Sequence, residues 1–418
     1  MTVRLCVAYL LLGFGMRVSA AAVPPTFSKD VAPILYSRCL ECHRQGEAAP
    51  MAFTSYREVR PWAKAIKQAV LTGKMPPWLA DPHFGSFRND RRMPDDAIQT
   101  IVRWVDHGAP EGDPKQMPAM PPFETGWRIG KPDAVFDIGT EYDVPAEGVM
   151  AYKYFTVPTN FTEDRWVEAA EVRPDQRGAV HHIIAFVKEP GNNSARPADA
   201  GNILVGYAPG ENPLKLMPGT AVLVKAGSSL YFQVHYTPNG KAVKDRSYIG
   251  MRFAKEPPKF RAIRGLAVNP GFRIPPNDAN YEVRSSYTVN QEVTLDSLMP
   301  HMHLRGKDFQ YTVVYADGRQ DVILSVPKYD FNWQIRYELK SPMVLPKGSR
   351  IDCVAHFDNS PNNKSNPDPA KEVRWGEQTW EEMMIGFFTY TVPYAPSVPA
   401  VAPTRSNALE DKPRENKE

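Results

Sequence analysis

The chain has 418 residues, too many for one ordinary core, so two or three domains are expected. Charged residues make up 23% and the formal net charge is only +3, which argues against a nucleic-acid-binding or polybasic membrane surface. The 41 prolines and 27 glycines favour many turns and short strands over a helical bundle.

The first segment reads as an export signal. Arg4 gives a basic start, "LCVAYLLLGFG" an apolar core, and "VSAAA" small residues for cleavage after Ala20. The apolar run is too short for a membrane span, and no later stretch reaches about 18 apolar residues. The reading is therefore a signal peptide over 1–20 and a periplasmic or secreted mature chain without a membrane span. Cysteine usage fits export poorly by number alone. Cys6 lies in the signal, Cys39 and Cys42 share one motif, and Cys353 stands alone in the alternating run "RIDCVAHF", so no disulfide framework is available. Cys353 is expected to be a buried, inert thiol.

Residues 25–112 are predicted to be helical. "DVAPILYSRC" places Val31, Ile34 and Leu35 on one face directly before Cys39. "SYREVRPWAKAIKQAVLTG" opens with Ser55 and Glu58 at capping-box spacing and stops at Gly73. "MPDDAIQTIVRWVDHG" has acidic residues at its positive end and an Ile98, Ile101, Val102, Val105 stripe, with Gly108 as the stop and His107 as a dipole-favoured cap.

Just after the first helix stands "CLECH", the spacing for a covalent c-type haem. Cys39 and Cys42, three apart on a helical turn, reach two vinyl groups, and His43 then points its imidazole at the iron. No βαβ pattern surrounds the pair, which disfavours a bare redox dithiol. With three helices, the region resembles a small class I c-type cytochrome. Met75, in "GKMPPW", is the favoured second axial ligand; Met93 is the main alternative, and Met51 and His83 are further candidates. A thioether there raises the haem potential.

Residues 113–126 are Pro-rich and read as a semi-rigid spacer. Beyond them come short alternating runs such as "YKYFTVP", "HHIIAFV", "SLYFQVHY", "FQYTVVYADG" and "MMIGFFTYTV". These predict two packed β-sandwich or jelly-roll domains, 127–270 and 275–395, with 396–418 a polar, disordered tail. The expected fold is thus a small all-α c-type cytochrome followed by two all-β domains.

Of nine histidines, five fall in three tight contexts: His181 and His182 in "VHHIIAF", His235 in "QVHY", His301 and His303 in "HMHLRG". Residues i and i+2 on a strand share a face, so His301 and His303 can reach one ion. Adjacent histidines point to opposite faces, so His181 and His182 can share a metal only at a bulge or strand end. His356 has no such company and reads as structural. Neutral imidazoles suit zinc, copper, iron or nickel.

"VHHIIAF", "QVHY", "HMHLRG" and "WEEMMIGFF", in that order over about 127–395, resemble the copper type II, ascorbate-dependent monooxygenases, the family of peptidylglycine α-hydroxylating and dopamine β-monooxygenases. The resemblance implies two β-sandwich domains with a copper on each. It would place one copper on His181, His182 and His235, and the oxygen-reactive copper on His301, His303 and Met383, with Met384 the neighbour that could be mistaken for it. The family's substrate-carboxylate anchors are replaced by Met299, Ile385 and Phe387, which implies a less polar substrate.

The function expected is a haem-fed copper monooxygenase that hydroxylates a C–H bond of a small organic substrate with O2. One haem c and two coppers would be the cofactors. An ascorbate-like reductant or redox protein would be the electron donor, with the linker giving a high effective concentration of the tethered haem. No catalytic residue is assigned beyond the metal ligands. The alternatives are a redox enzyme that does not hydroxylate, or a non-enzymatic copper-binding or electron-transfer protein.

Overall fold

The structure, a computed structural model, describes residues 23–45, 47, 49–122, 126–192, 202–208 and 210–394. The expected signal peptide and tail lie outside the described residues. The chain divides into two units, one from Met1–Ala80 and Asn89–Thr125, the other from Asp81–Arg88 and Gly126–Glu418.

Among the described residues, the first unit carries four short α-helices: α1 (Ala32–Arg38), α2 (Tyr56–Val59), α3 (Ala63–Leu71) and α4 (Asp95–Asp106). Three of them start for a local reason. Pro33 occupies the first turn of α1. The Ser55 hydroxyl accepts from the Glu58 backbone N–H at the head of α2. Asp95 and Asp96 sit at the positive end of α4. Phe27, Leu35, Val59, Ile66, Val70, Ile101 and Trp104 pack into one buried cluster. The Trp104 indole N–H donates to the Pro110 carbonyl at 2.9 Å, so the largest buried side chain leaves no polar atom unpaired.

The expected all-α cytochrome domain is not what this region forms. The chain is mostly β, 38% strand against 12% helix. The longest helix of the first unit has 12 residues, and turns or coil fill most of 39–54 and 72–94. The cause is compositional. Gly73, Pro76, Pro77, Pro82 and Gly85 follow one another, and Gly73 and Gly85 both take positive φ, which ends any helix there. Asp81–Arg88 belongs to the β unit instead. Phe87 bridges Leu339, the Lys340 N–H donates to the Ser86 carbonyl at 2.8 Å, and the Asp81 N–H donates to the Ser325 carbonyl at 2.9 Å.

The second unit's first half runs β1 (Ala134–Asp137), β2 (Tyr142–Val144), β3 (Lys153–Pro158), β4 (Arg165–Arg173), β5 (Val180–Lys188), β6 (Asn202–Tyr207), β7 (Leu214–Lys215), β8 (Thr220–Val224), β9 (Ser229–Tyr236), β10 (Val243–Asp245) and β11 (Tyr248–Phe253). Its second half runs β12 (Phe260–Val268), β13 (Arg273–Ile274), β14 (Tyr281–Thr288), β15 (Val293–His301), β16 (Gly306–Val314), β17 (Gln320–Val326), β18 (Tyr337–Leu345), β19 (Arg350–Phe357), β20 (Val373–Arg374) and β21 (Ile385–Pro393).

Each half is a β-sandwich. In the first, β1-β11-β4-β8 lies against β3-β9-β5-β6, and alternate residues of both sheets, among them Val167, Ile183, Phe232 and Met251, make one core. In the second, β12-β21-β15-β18 lies against β14-β19-β16-β17. The Tyr311 hydroxyl there donates across the layer to the Phe387 carbonyl at 3.0 Å, and Tyr287 meets Phe388 edge to face at 5.0 Å. Cys353 on β19 is buried, and burial pushes its thiol well above the ordinary range.

The two sandwiches are joined by one parallel contact. Phe260 and Arg261 of β12 pair with Thr220 and Ala221 of β8, which makes one nine-stranded sheet of the two outer layers. The histidine-bearing strands β5, β9 and β15 all belong to this unit.

Candidate metal centres

The obstacle to using His181 and His182 together is removed by a bulge. Val180 pairs with Tyr236 and His182 with His235, so His181 is the extra residue on β5 and its side chain is re-aimed. The ligand-capable atoms of His181, His182 and His235 all lie within 4.8 Å of one another. Their ring centroids are 5.1 to 5.4 Å apart, and the Nδ1 atoms of His181 and His182 are 3.2 Å apart. The ring of Tyr152 packs 4.9 Å from His235 and 5.3 Å from His182.

The electrostatics keep this cluster neutral. Burial lowers His181, and it lowers His182 well below the ordinary value, helped by the other imidazoles around it. His235 is pushed down to about 4 by burial and His181. The Nδ1 of His235 is buried without a hydrogen-bond partner. Three neutral imidazoles converging on one point, one with an orphaned ring nitrogen, fit a borderline-soft metal ion.

The second cluster is built where β15 ends. His301 closes that strand opposite Ile385, and His303 follows two residues on, the ring centroids 5.2 Å apart. Their Nδ1 atoms face outer partners. That of His301 is 3.0 Å from Gln334 Oε1 and that of His303 is 3.1 Å from the Glu381 carbonyl. With Nδ1 as the donor in each ring, both Nε2 atoms are left for a metal. Burial pushes His303 down to about 3, with His301 adding to the effect, and burial lowers His301.

The two methionines differ in burial. Met384 is fully buried, and its Sδ accepts from the Ser285 hydroxyl at 3.1 Å. Met383 is only partly buried, and it lies two residues before Ile385, the cross-strand partner of His301. Met384 therefore belongs to the core, and Met383 leads into the strand whose first residue, Ile385, faces His301. The same face carries Met299 and its cross-strand partner Phe387, whose ring is 5.9 Å from that of His301.

Several supporting residues escape a reading of the sequence. Glu382 is fully buried and accepts from the N–H groups of His303 (2.8 Å) and Arg305 (2.6 Å), so it shapes the turn that presents His303. Burial pushes its carboxyl up to about 8 against those hydrogen bonds. Gln334 holds His301 while its amide donates to the Tyr329 hydroxyl (3.0 Å) and the Phe331 carbonyl (2.9 Å). Phe331 stacks on His181 at 5.6 Å and meets His303 edge-on at 6.0 Å, so one aromatic ring separates the two clusters. None of these follows from spacing, because each acts over a long sequence separation. The glutamate beside Met383 was the one available signal.

In the first unit, Cys39 ends α1 and the His43 N–H donates to its carbonyl at 2.9 Å, closing one turn. Cys39 and Cys42 form no disulfide, and burial pushes Cys39 up to about 12. The His43 ring stacks on Phe53 at 4.2 Å, and its Nδ1 is 3.2 Å from the Met51 carbonyl. That hydrogen bond leaves Nε2 as the free nitrogen. Met51 and Met93 pack on the cluster that includes Cys39; Met75 is not among the residues packed there. His83 pairs with Asp81 at 2.7 Å within the β unit, and His107 caps α4 through the Arg103 carbonyl at 2.7 Å. His356 pairs with Asp308 at 2.7 Å across β19 and β16.

The chain matches no known family profile and no curated protein. Among solved structures it is similar to the major capsid protein P2 of bacteriophage PM2, at 8% identity and a TM-score of 0.26, over 63% of this chain and 98% of that one. It is also similar to the VP2 subviral particle of infectious bursal disease virus, at 10% identity and a TM-score of 0.20, over 63% and 73%. At such scores the likenesses assign nothing to this chain, and its β-sandwich fold rests on its own strand pairing. Among the described residues, no helix is long and apolar enough to cross a membrane.

Proposed function

We propose that this protein is an exported copper oxidoreductase that hydroxylates a C–H bond of a small, weakly polar organic substrate with O2. The observation that carries the reading is the bulge at His181, which gathers three imidazoles within 4.8 Å of one another, one ring away from the His301/His303 pair. Copper held at the two clusters would supply one-electron steps for O2 activation, and haem on Cys39 and Cys42 would supply electrons.

The chain's own residues support that assignment in distinct ways. His181, His182 and His235 would hold one ion, and burial keeps them deprotonated without an acid-base partner. His301, His303 and Met383 would hold the other, and a thioether beside two imidazoles favours the reduced, soft form of the metal. Gln334 and the Glu381 carbonyl fix which ring nitrogen each histidine offers. Met299, Ile385 and Phe387 line the His301 face with apolar side chains, which favours an aliphatic or aromatic substrate over a charged one. At the other motif, the Met51 carbonyl orients His43, and Met75 or Met93 would complete a haem site.

The test is the metal and haem content of the protein produced in a host that attaches c-type haem. The reading expects about two coppers per chain, falling to about one in a His301→Ala/His303→Ala variant, with haem unchanged. Stoichiometric zinc, or haem without copper, would remove the oxidoreductase assignment. Oxygen uptake matched by hydroxylated product then separates hydroxylation from other redox chemistry.

A further inference from the structure

The seam between the two sandwiches holds a cavity that none of the metal chemistry uses. Strands β8 and β12 run together for only two residue pairs, Thr220 with Phe260 and Ala221 with Arg261. They then part, β8 toward β4 and β12 toward β21, and leave a wedge of about 40 Å³. Its walls are mostly aliphatic, with Leu214, Leu216, Val222 and Ile263 among them. Its polar lining is Arg261, Arg264 and Thr389, and Thr389 is the cross-strand partner of Arg264.

Arg264 is the anomaly. Its guanidinium makes no hydrogen bond or ion pair with any described residue. The nearest acidic groups are already engaged. Arg336 is 3.9 Å from Glu211 and 3.5 Å from Glu338, and Glu338 also takes Arg88 at 3.0 Å. Arg336 adds a second positive charge close by, and burial together with that charge lowers Arg264 to about 10. Glu211 opposes that shift through space but makes no direct ion pair or hydrogen bond with the guanidinium, and N–H donors left without an acceptor among leucines and valines are costly. The wedge therefore presents guanidinium donors without an acceptor at a place where there is room for one.

We infer that this wedge is a binding site for a small carboxylate anion, held by the Arg264 guanidinium and the Thr389 hydroxyl, with its alkyl part against the leucines. Three features select that class. The guanidinium fork matches a planar carboxylate in two-point geometry. The aliphatic walls reject a fully hydrated dianion such as sulfate. The volume corresponds to roughly three water molecules by the same measure, enough for a carboxylate group and a short chain. The site is independent of the metal clusters and stands or falls without them.

The probe is butyrate, added to the full-length protein and compared with butyramide and with sodium chloride at equal ionic strength. Saturable binding by calorimetry at one butyrate per chain is expected, with a rise in Tm that butyramide and chloride do not give. Arg264→Met should weaken butyrate about ten- to hundredfold, the range of a lost charge-assisted pair, while remaining folded because it removes donors that have no acceptor. Arg264→Lys, which keeps the charge but not the fork, should bind with intermediate affinity. Butyrate binding that survives unchanged in Arg264→Met overturns the site. So does an equal response to chloride or butyramide, or no response in the wild-type protein.

Discussion

Gln334 offers the sharpest test of how the second cluster is held. Its Oε1 lies 3.0 Å from the Nδ1 of His301; Gln334 is buried and His301 partly so. Replacing it by leucine keeps the volume but removes the acceptor. The Nδ1–H of His301 would then be buried without a partner, or the ring would turn and offer the wrong nitrogen. Either outcome costs about 1–3 kcal/mol. At about 1.4 kcal/mol per decade, that is roughly a five- to 150-fold loss of affinity for a metal on His301 and His303. Loss of an outer hydrogen-bond partner at metal-bound histidines gives about 10–100-fold, which falls within the same range. The assay is titration of Cu(I) against a competing chelator in wild type and Gln334→Leu. The three-histidine cluster provides an internal reference, since its imidazoles do not bond to Gln334. Gln334→Glu keeps an acceptor for His301 and should recover most of the affinity. An affinity at the His301/His303 cluster within about twofold of wild type in Gln334→Leu would falsify the tautomer argument. An equal loss at both clusters would show that Gln334 acts on the fold and not on one ring.

Other consequences separate metal chemistry from packing. Met383→Leu should lower Cu(I) affinity at the His301/His303 cluster with little change in Tm, whereas Met384→Leu, which loses the Ser285 hydrogen bond in the core, should lower Tm and leave copper titration unchanged. The reverse pattern would reassign the thioether. Tyr236→Phe removes the hydroxyl that donates to buried Asp245 at 2.9 Å, next to His235. That carboxylate keeps its bond to Ser247, so a loss of about 1–3 kcal/mol is expected. At about 2–4 °C per kcal/mol for a unit of this size, thermal unfolding should detect it, and an unchanged Tm would mean Asp245 is already satisfied. Cys39→Ala and Cys42→Ala should each reduce the haem retained through denaturing electrophoresis while copper content holds. Full retention in both would rule out thioether attachment at this motif.

What the sequence discloses about this molecule follows the range of each signal. Capping and helical periodicity act within four residues, and the helices at Ala32–Arg38, Ala63–Leu71 and Asp95–Asp106 lie where those signals are. The same signals carry no information about closure into a domain, and the expectation of an all-α cytochrome fails there: glycines and prolines between 73 and 85 stop the helices, and Asp81–Arg88 leaves to pair with β18. Strands with clean alternation, such as "SLYFQVHY", are legible. Strand β12, "FRAIRGLAV", is not, because its arginines break the apolar pattern at the very place where the sandwiches diverge and one guanidinium is left facing a cavity.

The metal clusters show the same division in finer detail. The i, i+2 spacing of His301 and His303 states its own geometry. The adjacent pair His181 and His182 states only a condition, that the strand must bulge, and the register against His235 meets it. The groups that make the clusters usable come from far along the chain: Gln334 reaches His301 from 33 residues away, and Glu382 reaches His303 from 79. A residue that acts by accepting one hydrogen bond leaves no periodic trace. Its position is fixed by which strands lie side by side, so it becomes readable only after the topology is known. The unpaired Arg264 is the mirror case. Its environment is defined by what the neighbouring strands fail to supply, and only the folded arrangement can display a guanidinium without an acceptor.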